Sequence, residues 1–296
     1  MSDDAWLLQH ASNVYSQAGE DGILGKVLDT LVERTGWCVE FGAWDGLHFS
    51  NTAHLIRSRG YKAVMIEASA ERFKELQRTY ADNPGVHPVC AFVGFTPTDN
   101  LDTILERTPI PKTFDLLSID IDGNDYHVWA ATTAYQPLCV IIEYNPTIPH
   151  GVEFIQAKDP KDMHGASLDS LVSLGKEKGY ELVAATRYNG IFVRRDQFAA
   201  FGIRDNSVAK LRRDQSRVTH VFSGYDGTVF VRGWGALPWH DVPYGESLIQ
   251  PLPRFLREWR ENYGPVRSKV FGLYRRARKL LAGPIVRDAE EPRGDR

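Results

Sequence analysis

Two stretches of the chain carry oxygen-bearing side chains at the ends of apolar runs. Phe114–Asp122, FDLLSIDID, ends in Asp120 and Asp122 and continues into Gly123-Asn124-Asp125-Tyr126. Leu138–Glu143, LCVIIE, ends in Glu143, and Asn145 follows before Pro146. Runs of this kind suit central parallel strands, which are apolar on both faces. Side chains alternate along a strand, so Asp120 and Asp122 project to one side if the strand geometry persists. Ligands of open α/β sheets bind outside the carboxyl ends of the strands. Acids crowded there without a partner would repel and raise one another's pKa. Asp120, Asp122 and Glu143 are therefore candidates for catalytic acid–base work. With Asn145 they form a candidate ligand set for a hard divalent cation such as Mg²⁺. Solvated strand ends and helix caps are the alternative.

A second constellation lies upstream. Trp37–Gly46, WCVEFGAWDG, is a short apolar run, an acid and a glycine turn. Glu40-x-Gly42-x-x-x-Gly46 describes a buried strand and a tight loop whose backbone can lie against a ligand. Ser50-Asn51-Thr52 offers helix N-cap chemistry, Gly60 closes that helix, and Ala63–Ile66 is a second strand ending in Glu67. The acid stands 67 − 46 = 21 residues beyond the last glycine. In nucleotide-binding βαβ units, an acid about 20 residues after the turn binds the ribose hydroxyls. The pattern is a nucleoside-binding half-fold, although it is not the GxGxxG of dinucleotide enzymes.

These residues need a frame, and the remaining pattern supplies one. Ser16–Gly36 has apolar residues on one helical face. The acids of its opening SQAGEDG, Glu20 and Asp21, either complement the helix dipole or belong to a turn that covers the ligand. Ser69 caps a helix ended by Pro84-Gly85, Val86–Val93 is a third strand, and Asp99 caps Asn100–Arg107. Thr147–Gly165, with His150 and His164, is a long loop at the active edge, where substrate lids and exposed histidines are both common. Ser167–Lys178 is an amphipathic helix. Tyr180–Ala185 and Ile191–Arg194 form a hairpin with Asn189-Gly190 at its turn.

At 296 residues the chain can hold one α/β domain plus additions, and a net charge of −3 argues against a nucleic-acid partner. The N-terminus has neither a basic nor an apolar signal region, and no stretch is long enough to span a membrane. Cys38, Cys90 and Cys139 read as small buried hydrophobes in a reducing compartment. The expected location is the cytoplasm.

VEFGAWDG, the acid after the second strand, SIDIDGNDY, IIEYNP and the closing hairpin together resemble class I SAM-dependent methyltransferases. More narrowly they resemble the FkbM-type group and its neighbours that methylate sugar hydroxyls. The likeness covers about Ser16–Arg195. It implies a Rossmann-like α/β fold with a seven-stranded, mostly parallel sheet, a terminal antiparallel hairpin and a C-terminal extension. It also implies S-adenosyl-L-methionine (SAM) as cofactor, held by Glu40, Gly42, Asp45, Gly46, Asn51, Glu67 and Asp120. Some relatives bind Mg²⁺ with an acid pair after strand five. Here that pair is Glu143 and Asn145, one carboxylate short. Asp122-Gly-Asn-Asp125 stands where FkbM-type proteins commonly carry Glu-Gly-x-x-Glu. The implied activity is O-methylation of a sugar or glycoconjugate. A nicotinamide-dependent oxidoreductase or epimerase and a non-catalytic scaffold are the rivals.

The likeness fades beyond Arg195. The expected division is a core over 1–195, a hairpin and aromatic-rich extension over 196–250, a basic helical segment over 251–284 and a disordered tail over 285–296. Arg254–Gly283 holds nine Lys/Arg against two Glu, a balance of 9 − 2 = +7. Val266, Val270, Tyr274, Ala277 and Leu281 share one helical face. Such a helix suits either an anionic membrane surface, making the protein peripheral at the inner face, or docking onto the domain or a second subunit of a homo-oligomer.

Overall fold

The computed structural model describes residues 3–281. In chain order the first compact unit contains α1 (Glu20–Thr30), β1 (Trp37–Phe41), α2 (Ala53–Arg59), β2 (Lys62–Glu67), α3 (Ala70–Thr79), β3 (Val86–Cys90), α4 (Leu101–Leu105), β4 (Leu116–Ile119), α5 (Asp125–Ala131) and β5 (Cys139–Glu143). It continues through α6 (Leu168–Glu177), β6 (Tyr180–Ala185), β7 (Asn189–Arg194), α7 (Arg195–Phe198) and α8 (Val208–Leu211) and closes at Val218. The second unit, from Thr219, holds β8 (Thr219–Ser223), β9 (Val229–Gly233), β10 (Ala236–Leu237), β11 (Val242–Pro243) and α9 (Pro265–Leu281).

Strand chemistry dictates the layers. Val39 and Phe41 of β1, Leu117 and Ile119 of β4, and Val140 and Ile142 of β5 pack into one apolar cluster. Their alternate neighbours Cys38, Leu116, Cys139 and Ile141 pack into another. With period-two side chains, both faces must be apolar for a strand to sit between two helix layers. The seven strands run in the order β3-β2-β1-β4-β5-β7-β6, with β7 antiparallel to both neighbours. This is the Rossmann-like, mostly parallel sheet with a terminal antiparallel hairpin that the sequence predicts. Chain order reverses between β1 and β4, and the crevice of such a sheet opens at that point.

Gly42 makes the β1–β4 approach possible. Its φ is +72°, and a Cβ there would stand 2.0 Å from the carbonyl oxygen of Asp120. Gly46, at φ +80°, leaves room instead for the Tyr80 ring and Leu76 of the α3 layer. Both glycines thus admit neighbouring protein, whereas the sequence suggested space for a ligand.

Several local expectations change. The helix predicted over Ser16–Gly36 is confined to Glu20–Thr30. Asp21 Oδ2 accepts from the backbone N–H groups of Val14 and Tyr15 at 2.7 Å and of Ser16 at 2.9 Å, which fixes a loop in front of the helix. Asn100, not Asp99, caps α4 through Thr103 N–H, and Asp99 closes its own turn on Thr96. Asn189 and Gly190 lie inside β7, paired with Glu143 and Ile142, so the turn is Thr186–Tyr188. Cys90, at the edge-strand end, is exposed, while Cys38 and Cys139 are buried. The basic segment is helical only over α9, preceded by short 3₁₀ turns at Arg254–Leu256 and Arg260–Asn262. The predicted tail, 285–296, lies outside the described residues.

Gly42→Ala should cost about 3 kcal/mol, since a left-handed conformation and a backbone collision coincide. Denaturant unfolding of the variant measures it; an unchanged midpoint would show that β1 and β4 can separate without penalty.

Candidate functional site

The carboxyl ends of β1, β2, β4 and β5 carry the acids. β4 stops at Ile119, so Asp120 follows the last strand residue, and Asp122 lies in a turn with φ +56°. Strand alternation therefore does not align them, yet the turn does. One carboxylate oxygen each from Asp120, Asp122 and Glu143 lies within 4.8 Å of the others. Asp125, at the start of α5, holds that turn by accepting from Ile121 N–H and Gly123 N–H, both at 3.0 Å.

Burial pushes the Asp120 carboxyl well above the usual range, and the charges of Asp125 and Asp122 add to it. Burial does the same to Glu143, with Asp120 next in weight. Asp125 is pushed up to about 6 by burial, against its two backbone donors. Carboxylates this crowded compete for ionisation, and the pressure falls when a proton or a cation joins them.

Trp44 (φ +48°) and Phe49 (φ +54°), like Asp122, are non-glycine residues in the left-handed region. All three sit in loops at the carboxyl edge, where backbone strain accompanies function in many proteins. The His48 ring stands 5.4 Å from that of Trp44 and 4.0 Å from that of Phe49. GAWDGLHF spells this half-exposed aromatic group, but no spacing rule in the sequence marks it.

Other expected site residues are engaged within the protein. Glu40 accepts from Ser50 Oγ at 2.6 Å, Asn51 N–H at 2.8 Å and Thr52 Oγ1 at 2.7 Å. Asn51 donates its amide to Ser118 Oγ at 3.1 Å, which ties the β1–α2 loop to β4. Asp45 accepts from Leu47 N–H and His48 N–H. Glu67 accepts from Trp44 N–H at 2.8 Å and Ser69 N–H at 2.7 Å, one bond to each oxygen. A carboxylate oxygen has two lone pairs, so each keeps one for a further donor. Asn145 turns away from the acids: its oxygen accepts from Thr147 N–H and Oγ1, and its amide donates to the His164 carbonyl.

The polar turn before α1 reaches the same edge. Glu20 is fully buried and accepts from Thr186 Oγ1 at 2.7 Å, Asn189 Nδ2 at 3.3 Å and Ala18 N–H at 2.7 Å. Its charge is among those that raise Asp120. Asn189, paired with Glu143 across the ladder, keeps a buried Oδ1 that no protein donor reaches.

The segment 147–165 lies across the acidic turn. Asn124 donates to the carbonyls of Asp159 and Asp162, Gln156 donates to that of Gly123, and His127 meets the Gln156 carbonyl at 2.9 Å. Arg212, buried over the Tyr144 ring, donates to the carbonyls of Pro146 and Ile148 at 2.6 Å and anchors the start of the segment. His150 and His164 are exposed and pair with Asp169 and Asp162. Exposed Phe154, Ile155 and Met163 give the segment an apolar surface. The arrangement can accept protons, hold a cation and cover a bound molecule.

No protein-family model matches the chain, and no curated protein matches it. Several solved structures are similar to part of the chain at low identity. The citrinin polyketide synthase CMeT domain is 11% identical with a TM-score of 0.39, covering 62% of this chain and 55% of that one. The chain thus spans about half the length of that structure. The N-terminal domain of EvdMO1 with SAH bound is 14% identical with a TM-score of 0.40, covering 66% of this chain and 84% of its own. A SAM-dependent methyltransferase from Aquifex aeolicus is 12% identical with a TM-score of 0.37, covering 65% and 98%. The fold assignment rests on the strand order itself.

Burial penalises the ionised form of Glu143, so the cost is absent below its ordinary value of 4.5 and grows as pH rises through the elevated folded value. Glu143→Gln should therefore melt about 2–4 °C above the parent at pH 8, with the gap closing toward pH 4–5. Scanning calorimetry at several pH values measures it; a variant less stable at pH 8 would mean that Glu143 is held by attraction.

Proposed function

We propose that the chain is a SAM-dependent methyltransferase that transfers a methyl group to a hydroxyl of a sugar or glycoconjugate, with a divalent cation such as Mg²⁺ at the acidic edge. The observation that carries the reading is the convergence of Asp120, Asp122 and Glu143 beside the β1/β4 switch point. The antiparallel β7 inserted between β5 and β6 supports it, since dinucleotide folds do not usually end that way. Glu67, with one lone pair left on each oxygen, fits the ribose hydroxyls expected beyond β2. Gly42, Asp45, Gly46, Glu40 and Asn51 then act by shaping the loop on which the nucleoside rests, and Asp120 faces the methionine amine or the cation.

Two carboxylates held toward their protonated forms, Asp120 and Glu143, with the exposed Asp122 beside them fit a hard cation, and the unpartnered Asn189 Oδ1 of the residue paired with Glu143 adds a neutral oxygen. Asn145, whose oxygen is taken by Thr147, lies outside this set. A bound cation would orient a vicinal diol and lower the hydroxyl pKa. In the transfer the acceptor oxygen forms a bond to the methyl carbon as the carbon–sulfur bond breaks, and the hydroxyl proton must leave. Whichever of Asp120 and Glu143 does not hold the cation takes it, because burial makes that residue a stronger base than an ordinary carboxylate. The 147–165 segment excludes water and offers apolar surface to one face of the acceptor.

Calorimetry with SAM, with and without EDTA, followed by a labelled-methyl screen over glycans tests the reading. Saturable SAM binding, label on a sugar hydroxyl and a drop of about 10²-fold or more in transfer by Asp120→Asn are expected. No heat with SAM together with stabilisation by NAD(P) would overturn it in favour of an oxidoreductase. Undiminished transfer by Glu143→Gln in EDTA would remove the cation.

A further inference from the structure

α9 is a helix of 17 residues that contains Arg267, Lys269, Arg275, Arg276, Arg278 and Lys279 and no acid. At about 1.5 Å per residue it is some 25 Å long. None of its residues is buried. One side is used within the second unit. Tyr274 donates to the Pro251 carbonyl, Phe271 meets the Tyr263 ring edge-on at 5.6 Å, and Arg267 pairs with Glu258. That contact removes Tyr274 from the apolar face drawn from sequence.

The stripe next to it has no cover among the described residues. Val266, Val270, Leu273, Ala277 and Leu280 recur at i, i+4, i+7, i+11 and i+14, the repeat of a single helical face. Leu281 extends it. Val266 is 77% exposed, Leu273 67% and Leu280 87%. Lys269 and Arg276 fall along the edge of this stripe away from Tyr274, and Arg275 and Lys279 lie beyond them. No helix among the described residues is long and apolar enough to cross a membrane. With six cations α9 is suited to lie along a surface instead.

We propose that α9 is a membrane-surface anchor that lays its Val266–Leu281 stripe into the acyl boundary of a bilayer rich in anionic lipid. Charge selects this occupant. A second copy packed stripe to stripe would bring together two sets of cations that have no acid partner among the described residues, whereas anionic headgroups neutralise Lys269 and Arg276 along the edge and Lys279 beyond them as the leucines enter the apolar layer. A nucleic acid would satisfy the cations but would leave Leu273 and Leu280 in water.

The test is flotation of the full chain with phosphatidylcholine vesicles that do or do not contain phosphatidylglycerol. Binding is expected only with phosphatidylglycerol, and about tenfold weaker for Lys269→Gln/Arg276→Gln or in high salt. Leu273→Glu/Leu280→Glu should abolish it. Since neither leucine is buried, that variant should melt like the parent, which separates lost anchoring from lost folding. Leu273→Trp should shift its emission to the blue on the anionic vesicles, as insertion requires. No flotation, equal flotation with both vesicles, binding without the blue shift, or a concentration-dependent dimer abolished by Leu273→Glu/Leu280→Glu in place of vesicle binding would each overturn the proposal.

Discussion

Repulsion among carboxylates drawn out of water is the constraint around which the first unit is built. Asp120 and Glu143 could relieve it by pointing outward, as the exposed Asp122 beside them does. Instead the turn after β4 bends back, with Asp122 in a left-handed conformation and Asp125 clamping Ile121 and Gly123. The chain thus spends backbone strain and two charge-assisted bonds on keeping like charges together. Such a balance is stable only where surrounding structure over-determines it. The β1–β4 contact at Gly42, the anchored 147–165 segment and the ladder between Glu143 and Asn189 supply that structure.

The same constraint organises the chemistry. A carboxylate pressed toward its protonated form is a strong base, a good ligand for a hard cation and an attractive neighbour for a sulfonium. These roles compete for the same oxygens, so what occupies the edge sets which of them operates. Glu20 brings a further negative charge from the N-terminal helix without contributing an oxygen to the cluster. It raises the stakes at Asp120 through the field alone.

Part of this was legible in the sequence because apolar runs suited to burial on both faces mark central strands, and the acids directly follow those runs. FDLLSIDID and LCVIIE placed Asp120, Asp122 and Glu143 at neighbouring strand ends, and the hairpin after Gly179 marked the sheet's final antiparallel pair. The purpose of Gly42 and Gly46 was not legible, since a tight turn beside a ligand and one beside a carbonyl or a tyrosine ring ask for the same missing Cβ. Nor was the fate of Glu40 and Asn51, whose partners are three local donors and a serine 67 residues away. Asn145 stands two residues beyond Glu143, where a continuing strand would align the two, but β5 ends at Glu143 and Thr147 takes the Asn145 oxygen. Asn189-Gly190 carried a strong turn signal that pairing with β5 overrode.

On the proposed function, a sulfonium nucleoside rests beyond β1 with its reactive end toward the acids. A crystal structure with S-adenosylhomocysteine tests it most directly. The ribose hydroxyls are expected on Glu67 and the homocysteine end beside Asp120. Ligand elsewhere on the molecule, or a crevice filled by the side chains around Trp44 with no room for the nucleoside, would contradict it.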